Sequence, residues 1–520
     1  MSTETGEALP TDAGAAATAA AGASGAAAAA PSGAAADRAA RAAARAAARG
    51  PRRGPADLPL AYATEATVRA RAVAASEPAW LVDDRLAGLA RRAELPLETN
   101  RLYTLYVDLR DADLDAVAPY VDAPVVAAPG ADAPALLPAD ADGLIEVREG
   151  DVPTAVLSPA SRSAGVVLEP LAAFVARDPA GARSLLEGAS RLPTDDAMAQ
   201  LARATWTAGI HLHVPDGAIL ERPIVLRYAV GAPGRALVAR TLVTLGVGAR
   251  AAIVEDLVPS GPEIGCAAGE TVPQSLLHLT TEVALGPDAD LSFASLQDLP
   301  LGTVAFVHRR SEVGDRATLR WALAQVGGRI ARTRVDNLLS GDGSSVEQVE
   351  IVFGSSDQLF DLTSYTTHVG RDTTADLLSK AAMLDSSKAF IKGLTRIDRP
   401  AHGTDSFLGE FGMLLSKTSR SVTIPSLEID QPDCRRAAHS SSVGPIDPNQ
   451  LFYLESRGID PREAQKFIVL GFLEPVVARV PLAEEQDRLR AALEAKWAEA
   501  EGAAAGEAAP GSTTPAISAA

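Results

Sequence analysis

The chain has 520 residues, of which 47% are hydrophobic, and a formal net charge of −18 at pH 7. This acidity argues against a nucleic-acid binder or an anionic-membrane binder, since both need clustered lysines and arginines. Cys266 and Cys434 are the only cysteines, which excludes a disulfide framework and any four-thiolate zinc or iron–sulfur site built by this chain alone. No apolar run reaches about 18 residues, so we expect no membrane-spanning helix and a location in the reducing cytoplasm.

The N-terminal part divides into two predicted segments. Residues 1–56 are Ala-rich and are predicted to be a disordered extension. Arginines recur at helical spacing in ADRAARAAARAAARG, so a nascent helix and a transit peptide are the alternatives for this segment. Residues 57–205 place apolar side chains three and four positions apart, which predicts an N-terminal helical domain.

The periodicity changes near Gly209, where short alternating β-branched runs replace the helical spacing. Turn clusters then recur at separations of 38, 28, 27, 29 and 28 residues, counted from Gly248, Gly286, Gly314, Gly341, Gly370 and Asp398. A repeat of about 28 residues that consists of strands without helices predicts a β-solenoid core over residues 206–446. One repeat cannot bury its apolar face alone, whereas stacked repeats form a continuous core.

The solenoid is followed by two helix starts of the same kind. Asp447 and Asp460 are each followed by proline, and this Asp-Pro pair is typical of an N-cap and the first helical position. A third, charged helix in PLAEEQDRLRAALEAKWAEAEG completes a predicted C-terminal helical domain over residues 447–500. Residues 501–520 consist largely of Ala, Gly, Pro, Ser and Thr and are predicted to be a disordered tail.

Sequence motifs for nucleotide binding and for hydrolysis are absent. The chain has no Gly-rich P-loop, no G-x-G-x-x-G, no H-E-x-x-H and no G-x-S-x-G. His211 and His213 share one face of a predicted strand at the spacing of a metal pair, but no third ligand is near in sequence, and we favour structural roles. His368 precedes a solenoid turn and is predicted to face the core, with an interface role as the alternative.

The stretch RIARTRVDN carries a rival hypothesis, a β-helix carbohydrate lyase or hydrolase. Arg329, Arg332, Arg334 and Asp336 alternate along a predicted strand, as the charges of such an enzyme would. The same pattern is equally that of a solvated sheet face, which we favour. The aromatic content of 4% is low for a protein that stacks sugars, and no secretion signal is present.

Cys434 and His439 lie five residues apart in DCRRAAHSSS. On an extended strand they would not act together, because residues an odd number apart point to opposite faces. Arg435 and Arg436 would lower the pKa of an exposed thiol at Cys434. We favour an inert cysteine.

Several longer stretches resemble the SufB/SufD family of iron–sulfur cluster assembly proteins. The most specific are IPSLEID, SVGPIDPNQLFYLESRGI and EAQKFIVLGFLEPV; EPAWLVDDRL, HVPDGAILERPIVL and FDLTSYTTHVGRD extend the resemblance upstream. It covers roughly Ser76 to Pro481, and within the family the chain looks more like the SufD branch than the SufB branch. The resemblance implies a mainly β fold, a right-handed parallel β-helix flanked by N-terminal and C-terminal helical segments, in agreement with the repeat.

The resemblance also implies a function. It describes a non-catalytic scaffold subunit that pairs with a SufB-like paralogue through the β-helix and docks SufC, an ABC-type ATPase, through the C-terminal helices. It makes His439 the candidate iron or cluster ligand at the SufB interface, since a neutral imidazole can bind iron beside thiolates. The cysteine that many relatives have two residues earlier is Ala437 here.

Cofactors and partner contacts follow from the same resemblance. The chain alone is expected to hold no cofactor stably, and a transient iron–sulfur cluster is expected in the complex. Flavin binding in the complex and a SufB-type subunit that builds the cluster itself are open alternatives. The implied partner-binding residues are Asp447, Pro448, Phe452, Tyr453, Arg457, Gly458, Asp460, Pro461 and Phe467.

Overall fold

The computed structural model describes residues 62–507, with gaps at 107–108, 110, 120–136, 149, 151–152, 189–191, 262–273 and 481–482. The predicted extension at 1–56, Cys266 and the part of the predicted tail beyond Glu507 lie outside the described residues. Among the helices that are described, none combines the length and apolarity needed to cross a membrane.

Two long sheets of parallel strands form the body of the chain. The first sheet contains β5 (Ala208–Val214), β7 (Arg235–Leu245), β9 (Ser275–Leu285), β11 (Thr303–Val313), β13 (Ile330–Leu339), β15 (Leu359–His368), β17 (Lys388–Ile397) and β19 (Arg420–Ile429). The second contains β6 (Ile224–Val230), β8 (Arg250–Pro259), β10 (Asp290–Gln297), β12 (Thr318–Gln325), β14 (Ser345–Gly354), β16 (Thr374–Met383), β18 (Asp405–Leu414) and β20 (Arg436–Pro445). Successive strands alternate between the sheets, so the chain winds through about eight turns and the predicted β-solenoid is confirmed.

Strand register confirms the predicted repeat. In the second sheet Asp290 pairs with Thr318, Thr318 with Ser345 and Ser345 with Thr374, which gives coils of 28, 27 and 29 residues. The next coil, from Thr374 to Asp405, has 31 residues. The turn-spacing count gave 28 for that coil, because it assigned the turn to Asp398 although the chain turns nearer Gly403.

One corner of every coil uses the left-handed backbone region. Positive φ angles of 52° to 74° recur there at Gly217, Gly248, Asp288, Arg316, Gly343, Asp372 and Gly403. Stacked corners are joined by backbone hydrogen bonds, for example from Asp288 N to Asp315 O at 2.8 Å and from Arg316 N to Asp342 O at 2.9 Å. Residues other than glycine are strained at such φ values, so the bonds between neighbouring coils hold the corner conformation in place.

The N-terminal region covers the outer face of the first sheet. Its helices are α1 (Glu65–Ala74), α2 (Ala79–Glu94), α3 (Pro159–Ser163), α4 (Leu171–Arg177), α5 (Pro179–Leu186) and α6 (Ala197–Thr205). Leu81, Leu171 and Leu201 of these helices share a buried apolar cluster with Val238 and Phe306 of the sheet. The region is mainly helical, as the apolar spacing indicates, but it also contributes β1 (Ala118–Pro119), β2 (Gly143–Arg148), β3 (Thr154–Leu157) and β4 (Val167–Pro170).

The sheet face of RIARTRVDN is not solvated, so that prediction is wrong. Arg334 Nη1 lies 2.9 Å from Asp196 Oδ2 at the start of α6, and Arg334 Nε lies 3.0 Å from Asp336 Oδ2. Arg332 is buried and its Nη2 lies 3.3 Å from Glu98 Oε2. Because N-terminal segments cover this row of charges, it offers no open surface to a polysaccharide, and the carbohydrate-enzyme hypothesis loses its site.

The C-terminal helices are α7 (Pro448–Glu455), α8 (Pro461–Val477) and α9 (Ala483–Glu507). Helices α8 and α9 pack on the outer face of the second sheet, where Val469, Leu473 and Leu489 join Ala322 and Ile351 in one buried cluster. An ion pair between Arg488 and Asp256 and a buried Lys496 that donates to Val326 O hold α9 to the solenoid. In contrast, no residue of α7 is buried.

Candidate functional site

The two ends of the solenoid differ. At the N-terminal end, β2 pairs with β3 and β4 pairs with β5, both antiparallel, which closes the first coils. At the other end, β19 pairs only with β17 and β20 only with β18 among the described strands. Strand β19 is half-exposed and β20 is largely exposed, whereas β5 to β18 are mostly buried. We call β19 and β20 the open end, because each presents backbone groups on which a further strand could pair.

His439 lies at the open end on β20. It is in register with Leu408 of β18, a buried residue that projects into the solenoid interior toward Gly393 on the opposite sheet. Residues in register on parallel strands share a face, so the imidazole lies on the interior side at the mouth of the solenoid. The side chain is exposed, and no hydrogen bond or ion pair to it occurs within the described part of the chain. Its ring nitrogens are therefore available to an incoming ligand.

Cys434 does not belong to the same strand as His439. Strand β20 begins at Arg436, so Cys434 lies in the preceding corner, where it is half-buried and has a free thiol. The neighbouring Arg435 is ion-paired with Asp372. The parity argument, which assumed one extended strand through both residues, therefore does not decide their relation. Within the described residues, no group of three or more His, Cys, Asp and Glu side chains could hold a metal ion.

Sequence reasoning missed one titratable side chain near the open end, Glu410 of β18. Glu410 is in register with Ser441, two positions along from the pair that includes His439. The side chain is only 1% exposed, and neither carboxylate oxygen accepts a hydrogen bond from the described residues. Burial raises the pKa of Glu410 to about 8, and the nearby backbone amide of Ile424 on β19 acts in the opposite direction.

The other interior glutamates of the same row have partners. Glu255 is ion-paired with Arg309 and accepts a hydrogen bond of 2.8 Å from Ser295 Oγ. Glu350 accepts a hydrogen bond of 2.8 Å from Gln325 Nε2; burial raises its pKa to about 7, with Arg309 and Gln325 acting in the opposite direction. Glu410 is thus the exception in a row whose other carboxylates are satisfied, and it is the one nearest the open end.

The predicted caps of the C-terminal helices are present. Asp447 Oδ1 accepts from Asn449 N and Asp460 Oδ1 accepts from Arg462 N, each at 2.9 Å. Gly458 ends the connection between the helices with a φ of 85°. The predicted prolines, Pro448 and Pro461, are the first residues of α7 and α8.

These helices expose three large apolar side chains to solvent. Phe452 is 71% exposed, Tyr453 56% and Phe467 59%. The guanidinium of Arg457 lies 4.0 Å from the Tyr453 ring centroid. We call Phe452, Tyr453 and Phe467 the docking patch, since exposed aromatic side chains beside polar ones are typical of a binding surface.

The remaining histidines singled out by the sequence have structural roles, as predicted. His211 stacks on Phe174 with ring centroids 3.8 Å apart, and its Nδ1 lies 3.1 Å from Glu169 Oε1. His213 Nδ1 lies 2.8 Å from Thr244 Oγ1. His368 is buried, with Nδ1 2.8 Å from a threonine hydroxyl, which confirms that it faces the core.

Comparisons with known proteins bear on the solenoid. Residues 228–472, from β6 into α8, match the family described as SUF system FeS cluster assembly, SufBD core domain. An iron–sulfur cluster assembly SufBD family protein of Staphylococcus epidermidis is 27% identical over 297 residues, or 57% of this chain and 62% of the relative. Relatives with the same family name in Staphylococcus haemolyticus and Staphylococcus aureus give the same values. The matched region thus spans about three fifths of the length of these relatives.

Proposed function

The chain carries the SufBD core domain of the iron–sulfur cluster assembly system, and from this premise we propose that it is a SufD-type scaffold subunit. Its partners in this proposal are a SufB-like paralogue and a SufC-like ABC-type ATPase. The observation that carries the proposal is the open end, where two exposed strands without outer neighbours, in the described part of the chain, flank an exposed histidine on the interior side.

Pairing with the paralogue would use the backbone of the open end. Strands β19 and β20 each leave one edge without a strand neighbour among the described residues. Addition of a partner strand would satisfy these groups and extend both sheets. The same pairing would place His439 at the junction, where the partner contributes the remaining ligands to a nascent cluster. The cluster is then the cargo of the complex, held only transiently.

The docking patch would receive the ATPase. The patch lies on α7 and the exposed face of α8, whereas the buried face of α8 is held on the second sheet. A force applied to the patch would therefore reach the solenoid through packed side chains. In this proposal the chain has no catalytic site of its own, and ATP hydrolysis belongs to the partner.

The docking claim predicts a specific loss of binding. In co-expression with SufB-like and SufC-like partners, the double variant Phe452→Ala, Tyr453→Ala should retain the ATPase at least about tenfold less well in an affinity pull-down, because two exposed aromatic anchors are removed. Binding of the paralogue should be unchanged. The control Ile219→Ala alters another side chain that is 63% exposed and should bind both partners normally. Full ATPase retention by the double variant would overturn the docking claim.

A further inference from the structure

The interior carboxyl of Glu410 has no structural role that explains its burial. A buried carboxyl group without a hydrogen-bond partner destabilises a protein by an amount that an isosteric apolar or amide side chain would avoid. In Glu410 both oxygens lack such a partner among the described residues, and the side chain is 1% exposed. Its equivalents Glu255 and Glu350 are hydrogen-bonded in deeper coils.

Glu410 lies in a space that glycine creates. A Cβ atom on Gly393 of β17 would lie 2.6 Å from Glu410 Oε1 and 2.6 Å from Leu408 Cδ2. The carboxyl group therefore crosses the interior toward the first sheet and occupies room that another residue at position 393 would fill. The nearby amide of Ile424 belongs to β19, which puts the carboxyl group next to the last coil and thus next to the open end.

His439 is within reach of the same space. It and Glu410 are on adjacent strands, share the interior face and are offset by two residues in register. Neighbouring strands are ~4.8 Å apart and two residues span ~6.6 Å, so their backbones are separated by roughly 8 Å along the diagonal. A metal ion held at ~2 Å by an imidazole nitrogen and a carboxylate oxygen bridges such a separation, because each side chain extends several ångströms from its backbone.

We propose that Glu410 is a second metal-binding side chain of this chain, which together with His439 forms one half of a site for a divalent first-row metal ion at the open end. Imidazole and carboxylate together suit Fe²⁺ and its relatives. Solvent or a partner supplies the remaining ligands, consistent with the absence of any three-donor group in the described residues. The inference rests on the proposed function for the role of His439 and adds Glu410 as an inner donor.

The test uses the full chain purified without partners and Co²⁺ as a spectroscopic probe of the site. Titration of the unaltered chain should give a saturable ligand-field absorption band. Glu410→Gln removes the anionic donor at nearly constant volume and should raise the Kd for Co²⁺ at least about tenfold, and His439→Ala should do the same. The control Glu350→Gln changes a buried carboxyl of the same row that already has a partner, and His402→Ala changes another exposed histidine; both should bind as the unaltered chain does.

Three results would overturn the inference. They are no saturable band in the unaltered chain, an unchanged Kd in Glu410→Gln, or an equal loss in Glu350→Gln. Glu410→Gln should fold normally, since it removes an unsatisfied acid, and a thermal melt would verify this. Failure of the proposed function would look different: the chain would not assemble with its partners, whatever its Co²⁺ affinity.

Discussion

His439→Ala is expected to lower the rate of cluster assembly by the reconstituted three-protein complex at least about tenfold. The imidazole is exposed on the interior side of β20 and makes no hydrogen bond within the described residues. Its removal therefore deletes a donor without leaving a buried group unsatisfied. Anaerobic reconstitution followed by visible absorption and circular dichroism would measure the rate.

The matched control for this substitution is His402→Ala. His402 is also exposed, but it belongs to a corner of the solenoid and has Gln431 and Asp433 as neighbours. This variant should assemble clusters at the normal rate. An unchanged rate in His439→Ala would contradict the ligand role, and so would loss of the complex itself, because the residue would then act in assembly of the subunits.

Arg240→Met is expected to lower the free energy of unfolding by about 3–5 kcal/mol. Arg240 and Glu282 are each about 1% exposed, and the guanidinium meets the carboxylate through Nε at 2.6 Å and Nη2 at 3.0 Å. They join β7 and β9 beneath the N-terminal helices, where Arg240 Nη2 also lies 3.5 Å from Leu186 O. Loss of the arginine leaves a buried, uncompensated carboxylate, which costs far more than loss of an exposed pair.

Urea denaturation followed by circular dichroism would measure this loss. The double variant Arg240→Met, Glu282→Leu should recover most of the stability, since an apolar pair can replace a buried ion pair. The control Arg316→Met breaks the exposed pair with Asp288 and should leave the denaturation curve unchanged. A small effect of Arg240→Met, equal to that of the control, would contradict the assignment of a buried pair.

The coil architecture could be predicted because its signals are local. Each coil has the same corner, and residues that tolerate positive φ, such as Gly248 and Gly343, recur at nearly constant intervals. The count fails after Gly370, where the turn at Asp398–Gly403 is longer and carries two candidate punctuation points. The capped starts of α7 and α8 were equally predictable, since Asp-Pro determines both the cap and the first helical φ.

The covered charges could not be predicted from their own stretch of sequence. Arg334 meets Asp196 from 138 residues away, and Arg332 meets Glu98 from 234 residues away. An alternating strand reads the same whether its polar face meets water or a layer of ion-pairing helices. The packing of α8 and α9 against the second sheet is likewise a long-range result that no periodicity within those helices specifies.

The candidate site was only partly visible in the sequence. His439 was identified by family resemblance, and its place on the interior side needed the register with Leu408. Glu410 had a local signal that passed unnoticed, since in SFLGEFGML it alternates in phase with Leu408, so the strand carries an acid on its buried face. A charged residue in that phase is costly and is therefore a marker worth following.

Hydrogen–deuterium exchange tests most directly whether the open end is the pairing surface. The amides of β19 and β20 should exchange readily in the chain alone and at least about tenfold more slowly after the SufB-like paralogue binds, because new strand pairing protects them. Central strands such as β13, already paired on both sides, should exchange at the same rate in both states. Formation of a stable complex with no added protection in Arg420–Ile429 or Arg436–Pro445 would contradict pairing through the open end.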